Sequence, residues 1–343
     1  MNNKKILLAH GSGGKLTHTL IENLFKKYFN NKFLDNLDDS AVIDISDFKF
    51  YIDKFKLCFT TDSFVVNPIF FPGGDIGKLS VCGTINDIAV KGAVPLFISC
   101  GFIIEEGFLF DDLEKIVNSM KITADESEIK IVTGDTKVVQ KGYCDKIYIN
   151  TSGIGIINRD IELSIDKIEI GDKIIINGTV GDHGISVISA RENFKFGNFI
   201  NSDCAPIHKL IQEIIQSGAK IKFMRDPTRG GLATVLNEIV YNRQFSILIN
   251  ENNIPIKNEV VALCDLLGFD PLYIANEGKV VIVVSPDDTE KILKIMKANI
   301  LGKDSSIIGE VVSEPKGKVF LKTVSGGTRI IDMLAGDQLP RIC

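Results

Sequence analysis

The sequence predicts a two-domain α+β protein with mixed sheets and a flexible C-terminal tail. Three observations predict it. At 343 residues the chain is long enough for two units that each bury a core. Strand-like and helix-like patterns mix in both halves, and several strands are joined by segments short enough for hairpins, which speaks against a doubly wound parallel sheet. Between 159 and 172 the pattern gives way to the charged, alternating RDIELSIDKIEIGD and then restarts. The boundary is therefore expected at 160–170: an N-terminal unit over 1–160, a C-terminal one over 161–335, and a tail over 336–343.

In the first half, AVIDI (41–45) and KLCFTT (56–61) read as strands. GGDIGKLSVCGTINDIAVKGA (73–93) has apolar residues at helical spacing and Gly92 to close it. PLFISCGFII (95–104) reads as a buried strand, 111–125 as an amphipathic helix, and 129–135 and 146–157 as strands. In the second half, 172–178 is a strand running into the glycine-rich turn TVGDHG (179–184). Helices are expected at 206–217, 229–242 and about 287–300, with VVIVV (280–284) as a central strand.

Composition narrows the function classes. Hydrophobic residues make up 45% and charged residues 24%, ordinary for a globular protein, and the net charge is −5. Scattered basic residues give no nucleic-acid footprint. No apolar run approaches a membrane span and the N-terminus lacks a signal peptide's apolar region, so the chain reads as cytoplasmic, with neither nucleic acid nor membrane as a partner. Seven cysteines without a CxxC pair argue against a disulfide framework and a zinc finger. Cys58, Cys82, Cys100 and Cys264 sit in apolar stretches and are expected to be buried. Cys343, the last residue of DQLPRIC, does not fit that pattern.

Four constellations carry chemistry. Asp38 and Asp39 in LDDSAV, Asp62 in TTDSF, Asp87 in TINDIAV and Asp135 in TGDTK each stand beside small or hydroxylated residues. Singly, each is a turn or cap residue. Brought together, they would repel unless a hard cation such as Mg²⁺ relieved them, which suggests a Mg–nucleotide site. HGSGGKLT (10–17) looks like a phosphate loop but has Leu16 after Gly14-Lys15, where such a loop needs Ser or Thr. MRDPTRGGLATVLNEI (224–239) offers a glycine-flanked helix start for an anion, with Asp226 as a cap in the plainer reading. In ANEGK (275–279), Glu277 stands at the mouth of a buried strand, where desolvation raises a carboxyl pKa and makes a usable base.

Together HGSGGK, DDSAV, TTDSFVVNPIFFPGGDIGKLSVCGTINDIAVKGAVP, TGDTKVV, GTVGDHGI, MRDPTRGGLATVLNE, NEGK and PRIC resemble the hydrogenase maturation family HypE, along essentially the whole chain. That family lies within the superfamily of aminoimidazole ribonucleotide synthetase, selenophosphate synthetase and thiamine-monophosphate kinase. The resemblance implies the two-domain aminoimidazole ribonucleotide synthetase-like fold and a homodimer. It implies an ATP-dependent dehydratase: the carbamoyltransferase HypF loads Cys343 with a carbamoyl group, the S-carboxamide becomes an S-cyanide, and a HypC–HypD scaffold carries the cyanide to hydrogenase iron. It further implies that Asp39, Asp62, Asp87 and Asp135 hold ATP and Mg²⁺, with Asn86, Gly134 and Thr136 among the nucleotide contacts. Glu277 and Lys137 would lie near the carboxamide.

The chemistry accounts for these residue types. Hydroxide leaves an amide badly, whereas phosphate leaves well, so the carboxamide oxygen must first take the γ-phosphoryl group. Lys137 would stabilise the charge that develops, and Glu277 would take protons from nitrogen. Pro340 stiffens the tail and Gly336 offers a pivot. The seven residues beyond Gly336 reach at most about 25 Å. Arg341 would offset the effect of the terminal carboxylate on the thiol. Two other readings leave part of the sequence idle: a kinase or synthetase acting on a free metabolite, and a binding module whose Cys343 ligates a metal or partner.

Overall fold

The structure, a computed structural model, describes residues 5–12, 15–34, 54–192, 200–334 and 339–343. The strand expected at 41–45, Asp38, Asp39 and Gly336 lie outside the described residues.

The chain opens with α1 (Lys15–Leu20), continued through a π-helical turn (Ile21–Lys26) into α2 (Lys27–Phe29). There follow β1 (Phe55–Phe64), a two-residue hairpin of β2 (Phe70–Phe71) and β3 (Gly74–Asp75), and α3 (Ile76–Ala89). Then come β4 (Val94–Glu105), α4 (Phe110–Glu126), β5 (Lys130–Val139) and β6 (Ile147–Asn158). The long helix expected from residue 73 starts three residues later. Its two glycines are spent on the hairpin, and Asp75 caps α3 by accepting from the Gly77 and Lys78 amides at 2.6 and 3.2 Å.

The first sheet runs β1-β6-β4-β5. β6 is antiparallel to both neighbours, while β4 and β5 are parallel, joined by the crossover α4. The expected hairpins reduce to β2–β3 here, because β6 inserts between β1 and β4 and cannot pair with β5. Leu79, Ile85 and Ile116 from α3 and α4 are fully buried in this unit's core, while Leu57 and Phe59 on the edge strand β1 stay 78% and 68% exposed. Cys58, between Leu57 and Phe59 and on the opposite face of β1, is half-buried rather than buried as expected; Cys82, Cys100 and Cys264 are buried, and all seven cysteines are free thiols.

The second unit comprises β7 (Lys173–Ile176), α5 (Asp182–Arg191), α6 (His208–Gln216), β8 (Ile221–Arg225), α7 (Gly231–Val240) and β9 (Ser246–Asn250). It continues with α8 (Asn258–Leu267), β10 (Val281–Val284), α9 (Thr289–Ala298), β11 (Ser306–Val312), β12 (Val319–Lys322) and β13 (Thr328–Ile331). Its sheet runs β13-β12-β9-β11-β7-β10-β8, antiparallel except where β12 meets β9. The unbroken apolar run of β10 has a direct cause. Val281 and Val283 face a layer that includes Leu232 and Leu236 of α7, while Ile282 and Val284 face Leu210 of α6 and Ile292 of α9. A strand covered on both faces needs no polar side.

The two units share apolar packing. The core beneath α3 and α4 continues through Ile185 and Val187 of α5 and Val260 of α8 to Leu339 and Ile342 of the tail.

Candidate active site around the terminal thiol

The tail lies against the segment that follows β1. The Val65 amide donates to the main-chain oxygen of Cys343 at 3.2 Å, and the Asn67 amide donates to the Arg341 carbonyl at 3.0 Å. Arg191, at the end of α5, donates to the Pro340 and Arg341 carbonyls, both at 2.9 Å. The Arg341 guanidinium pairs with Asp145 and donates to the Val65 carbonyl. Leu339 and Ile342 are buried, so the last five residues are anchored by backbone pairing, ions and apolar contact together. This docking turns Cys343 inward. Its Sγ accepts from Arg229 Nη2 at 3.4 Å. Burial, then the nearby Glu277 carboxyl, push the thiol up to about 12, against the pull of Arg229. The docked free thiol therefore stays protonated.

Glu277 is 3% exposed, and its Oε1 has no hydrogen-bond partner among the described residues. Its carboxyl is held well above the usual range, first by burial and then by Cys204, Asp203, Asp226 and Asp62. The backbone around it is fixed on every side. Asn276 donates to the Pro227 carbonyl at 2.9 Å and accepts from the Gly181 amide at 2.8 Å. The Glu277 amide donates to Asp203 Oδ1 at 3.1 Å, and Asp203 Oδ2 pairs with Lys279 at 2.9 Å. Burial opposes ionisation of Asp203, but the Lys279 ammonium and the Glu277 amide hold its pKa below the usual value. Gly278 is needed for this closeness: a Cβ there would stand 2.0 Å from the Asp203 carbonyl.

Further carboxylates surround the recess. Asp62, on β1, accepts from the Ser63 amide at 2.8 Å; its proton affinity is raised by burial and by Asp87, and lowered by Arg229. Asp87, near the end of α3, accepts from Thr60 Oγ1 at 2.8 Å and is likewise raised by burial. Asp226 is pushed up to about 7 by burial, then by Asp87 and Asp62. Five segments distant in sequence thus bring Asp62, Asp87, Asp226, Glu277, Arg229 and Cys343 within electrostatic reach of one another.

The N-terminal and C-terminal domain models of AIR synthase related proteins match residues 37–157 and 169–322. Carbamoyl dehydratase HypE of Bradyrhizobium diazoefficiens is 46% identical over 98% of this chain and 95% of its own length. A crystal structure of hydrogenase maturation protein HypE in complex with ATP superposes with a TM-score of 0.92, at 43% identity over 98% of this chain and 99% of that one. HypE in a HypE–HypF complex superposes at 0.78, with 48% identity over 92% and 99% of the two chains.

The chain belongs to the HypE family.

Of the residues the HypE resemblance singles out, Asp62, Asp87, Glu277 and Cys343 come together. Asp135 and Lys137 form an exposed ion pair at 2.9 Å on β5. Gly134, Asp135 and Thr136 instead line a cavity of about 210 Å³ with Thr17, His18 and Phe102. Asn86, expected among the nucleotide contacts, has its side chain turned into the interior. It is 2% exposed, its amide nitrogen donates to the Ala205 and Glu277 carbonyls at 3.1 and 3.2 Å, and its oxygen accepts from the Ile207 amide at 2.9 Å. Its two amide hydrogens are spent on the Ala205 carbonyl and on the Glu277 loop. Asp226 does not cap α7, whose N-cap is Gly230 at a φ of 78°. Sequence reasoning missed Asp203 altogether, and nothing in NSDCAP marks it. Its role arises only from the fold, which presses that segment against NEGK.

No group of three His, Cys, Asp or Glu side chains among the described residues is placed to hold a metal ion unaided. The raised, mutually repelling Asp62 and Asp87 nevertheless suit Mg²⁺, which commonly takes one or two carboxylates and completes its shell with phosphate and water.

Proposed function

We propose that the protein is an ATP-dependent carbamoyl dehydratase that converts an S-carboxamide on its own Cys343 to an S-cyanide, the source of cyanide ligands for [NiFe]-hydrogenase iron. One observation carries this reading: the terminal thiol is docked inside a carboxylate-lined recess with the Glu277 carboxyl, whose Oε1 has no hydrogen-bond partner among the described residues. A kinase or synthetase of a free metabolite has no use for that seat.

The carboxamide oxygen attacks the γ-phosphorus of ATP, and ADP leaves. The nitrogen gives up its protons, the carbon–oxygen bond breaks, phosphate departs and the C≡N bond is complete. The site's own groups serve each stage. Docking of residues 339–343 fixes the carbon that bears the sulfur. Glu277 has the proton affinity a base requires, and its unpartnered oxygen is open to an N–H. Arg229, at the sulfur, offsets negative charge gathering in the recess. Asp39, Asp62, Asp87 and Asp135 are the residues we assign to Mg²⁺ and ATP, Mg²⁺ supplying charge neutralisation on the phosphates when bound. Gly134 and Thr136 we assign to the nucleotide, and Lys137 to the transferred phosphoryl group.

The division at 160/161, with a mobile carrier tail from residue 336, belongs to the same proposal. The thiol held near 12 in the docked pose implies that loading occurs with the tail swung out. HypF is the proposed loading partner and a HypC–HypD scaffold the proposed acceptor. We propose a homodimer formed through the N-terminal sheet, where β1 exposes Leu57 and Phe59, and a cytoplasmic location. No helix among the described residues is long and apolar enough to cross a membrane. The reading is tested by loading Cys343 with carbamoyl, adding Mg-ATP and following ADP against thiocyanate: one ADP per thiocyanate supports it, and ADP formation that a free metabolite governs while Cys343→Ala is silent refutes it.

A further inference from the structure

His183 lies one residue into α5 and is completely buried. Its Nε2 is 2.8 Å from the Ile342 carbonyl oxygen and its Nδ1 is 2.8 Å from Ser202 Oγ. A carbonyl only accepts, so Nε2 must carry a proton. Burial lowers the imidazole's proton affinity more than Asp203 and the Ile342 carbonyl raise it, so the ring is neutral and Nδ1 is the acceptor. Ser202 Oγ–H therefore donates to Nδ1, while the same oxygen accepts from the Cys204 amide at 3.0 Å. The polarity of the whole chain is fixed: Cys204 N–H to Ser202 O–H, to imidazole, to the carbonyl that immediately precedes Cys343.

Two further contacts lock the ring and its helix. Phe71 meets the imidazole edge-on at a centroid distance of 5.4 Å. At the neighbouring Gly184, an added Cβ would lie 2.5 Å from Ile274 Cγ2 and 3.5 Å from Leu339 Cδ1. The helix thus approaches the tail and the Glu277 loop as closely as backbone permits. The segment after Ser202 also bears on Glu277, through Asp203 Oδ1 and through the Ala205 carbonyl shared with Asn86. One stretch of four residues therefore touches the mounting of both reacting partners.

We propose that His183 is a positioning residue for the tail: by clamping the Ile342 carbonyl it sets where the group on Cys343 stands relative to Glu277. The inference rests on the dehydratase reading for its purpose, but the clamp itself is read out without carbamoyl or ATP, so the two fail separately.

The test uses the full-length chain labelled with [¹⁵N]histidine, which carries four histidines. The His183 resonance is expected to show a neutral ring protonated at Nε2 and to shift when Ile342 and Cys343 are deleted. Iodoacetamide labelling, resolved by peptide mass spectrometry, gives the second readout. His183→Leu is expected to speed alkylation of Cys343 roughly two- to tenfold, the effect of one lost hydrogen bond. His183→Gln, whose amide nitrogen can replace Nε2, should return the rate toward that of the parent. Should His183→Leu fail to fold, the resonance and the Gln variant decide. An Nδ1-protonated ring, a resonance indifferent to the deletion, or a folded Leu variant with parental Cys343 labelling overturns the proposal. So does a Leu variant in which buried Cys100, on β4 and outside this hydrogen-bond chain, labels faster as well, since that marks general loosening.

Discussion

Arg229 donates to the Cys343 sulfur across 3.4 Å, although the two are 114 residues apart. The guanidinium leads into α7 and the thiol ends the chain, so only the docked tail brings them together. Arg229→Gln removes a cation from a recess that also holds Asp62, Asp226 and Glu277. Single-turnover dehydration of preloaded protein is expected to slow by roughly tenfold, about 1.4 kcal/mol, with little change in thermal midpoint because the side chain is exposed. An unchanged rate removes the role assigned to this contact.

Glu277→Gln keeps shape and burial but cannot take a proton. Turnover should fall far more than tenfold while ATP still binds, measured by isothermal titration beside the rate. The native carboxyl has its pKa raised by burial, so the ionised, basic fraction grows as pH increases. The parent rate is expected to climb with pH at values above the ordinary carboxyl range. A Gln variant with near-parental turnover would exclude Glu277 as the base.

Asp226 gives a stability prediction whose sign is fixed. Its folded-state pKa is about 7 against an ordinary 3.8, so the folded state binds the proton more tightly. The stabilisation is whole below pH 3.8 and is lost as pH rises to about 7. In metal- and nucleotide-free protein, Asp226→Asn should therefore flatten the fall in stability over that window. Its gain over the parent above pH 7 has a ceiling on the order of a few kcal/mol. Parallel denaturation curves for the two proteins across pH would contradict the assignment.

Asn86 and Gly278 test the mounting of Glu277. Asn86→Ala leaves the Ile207 amide and the Ala205 and Glu277 carbonyls short of a partner, at a cost on the order of 3 kcal/mol. Gly278→Ala must push Asp203 away and should cost about 1–3 kcal/mol. Both should lower the dehydration rate with ATP affinity kept, read by urea denaturation and nucleotide titration. If Asn86→Ala chiefly weakens ATP binding, Asn86 is a nucleotide contact after all.

What the sequence reveals here follows from where the signal is local. The helix at 76–89 and the strand at 281–284 are long or uniform apolar patterns, and they stand out. α5 reads as a turn because Gly181 and Gly184 interrupt it, although Gly184 is small for the sake of Ile274 and Leu339. β9, β12 and β13 are four or five residues long, too short for periodicity to declare. Glu277 and Cys343 are legible because one precedes a buried strand and the other ends the chain. His183 and Asp203 are not, since their partners lie 159 and 74 residues away. Asn86 sits in a motif beside Asp87, yet a helix turns adjacent residues to different surroundings, so one meets the recess and the other the interior.

The central claim is that the last residue carries its own substrate into the recess beside Glu277. Mass spectrometry of the C-terminal peptide from protein carbamoylated on Cys343 tests it most directly. On addition of Mg-ATP the peptide should lose the mass of one water, and Glu277→Gln should block that loss. A carbamoylated peptide whose mass stays constant while ATP is consumed would contradict the account.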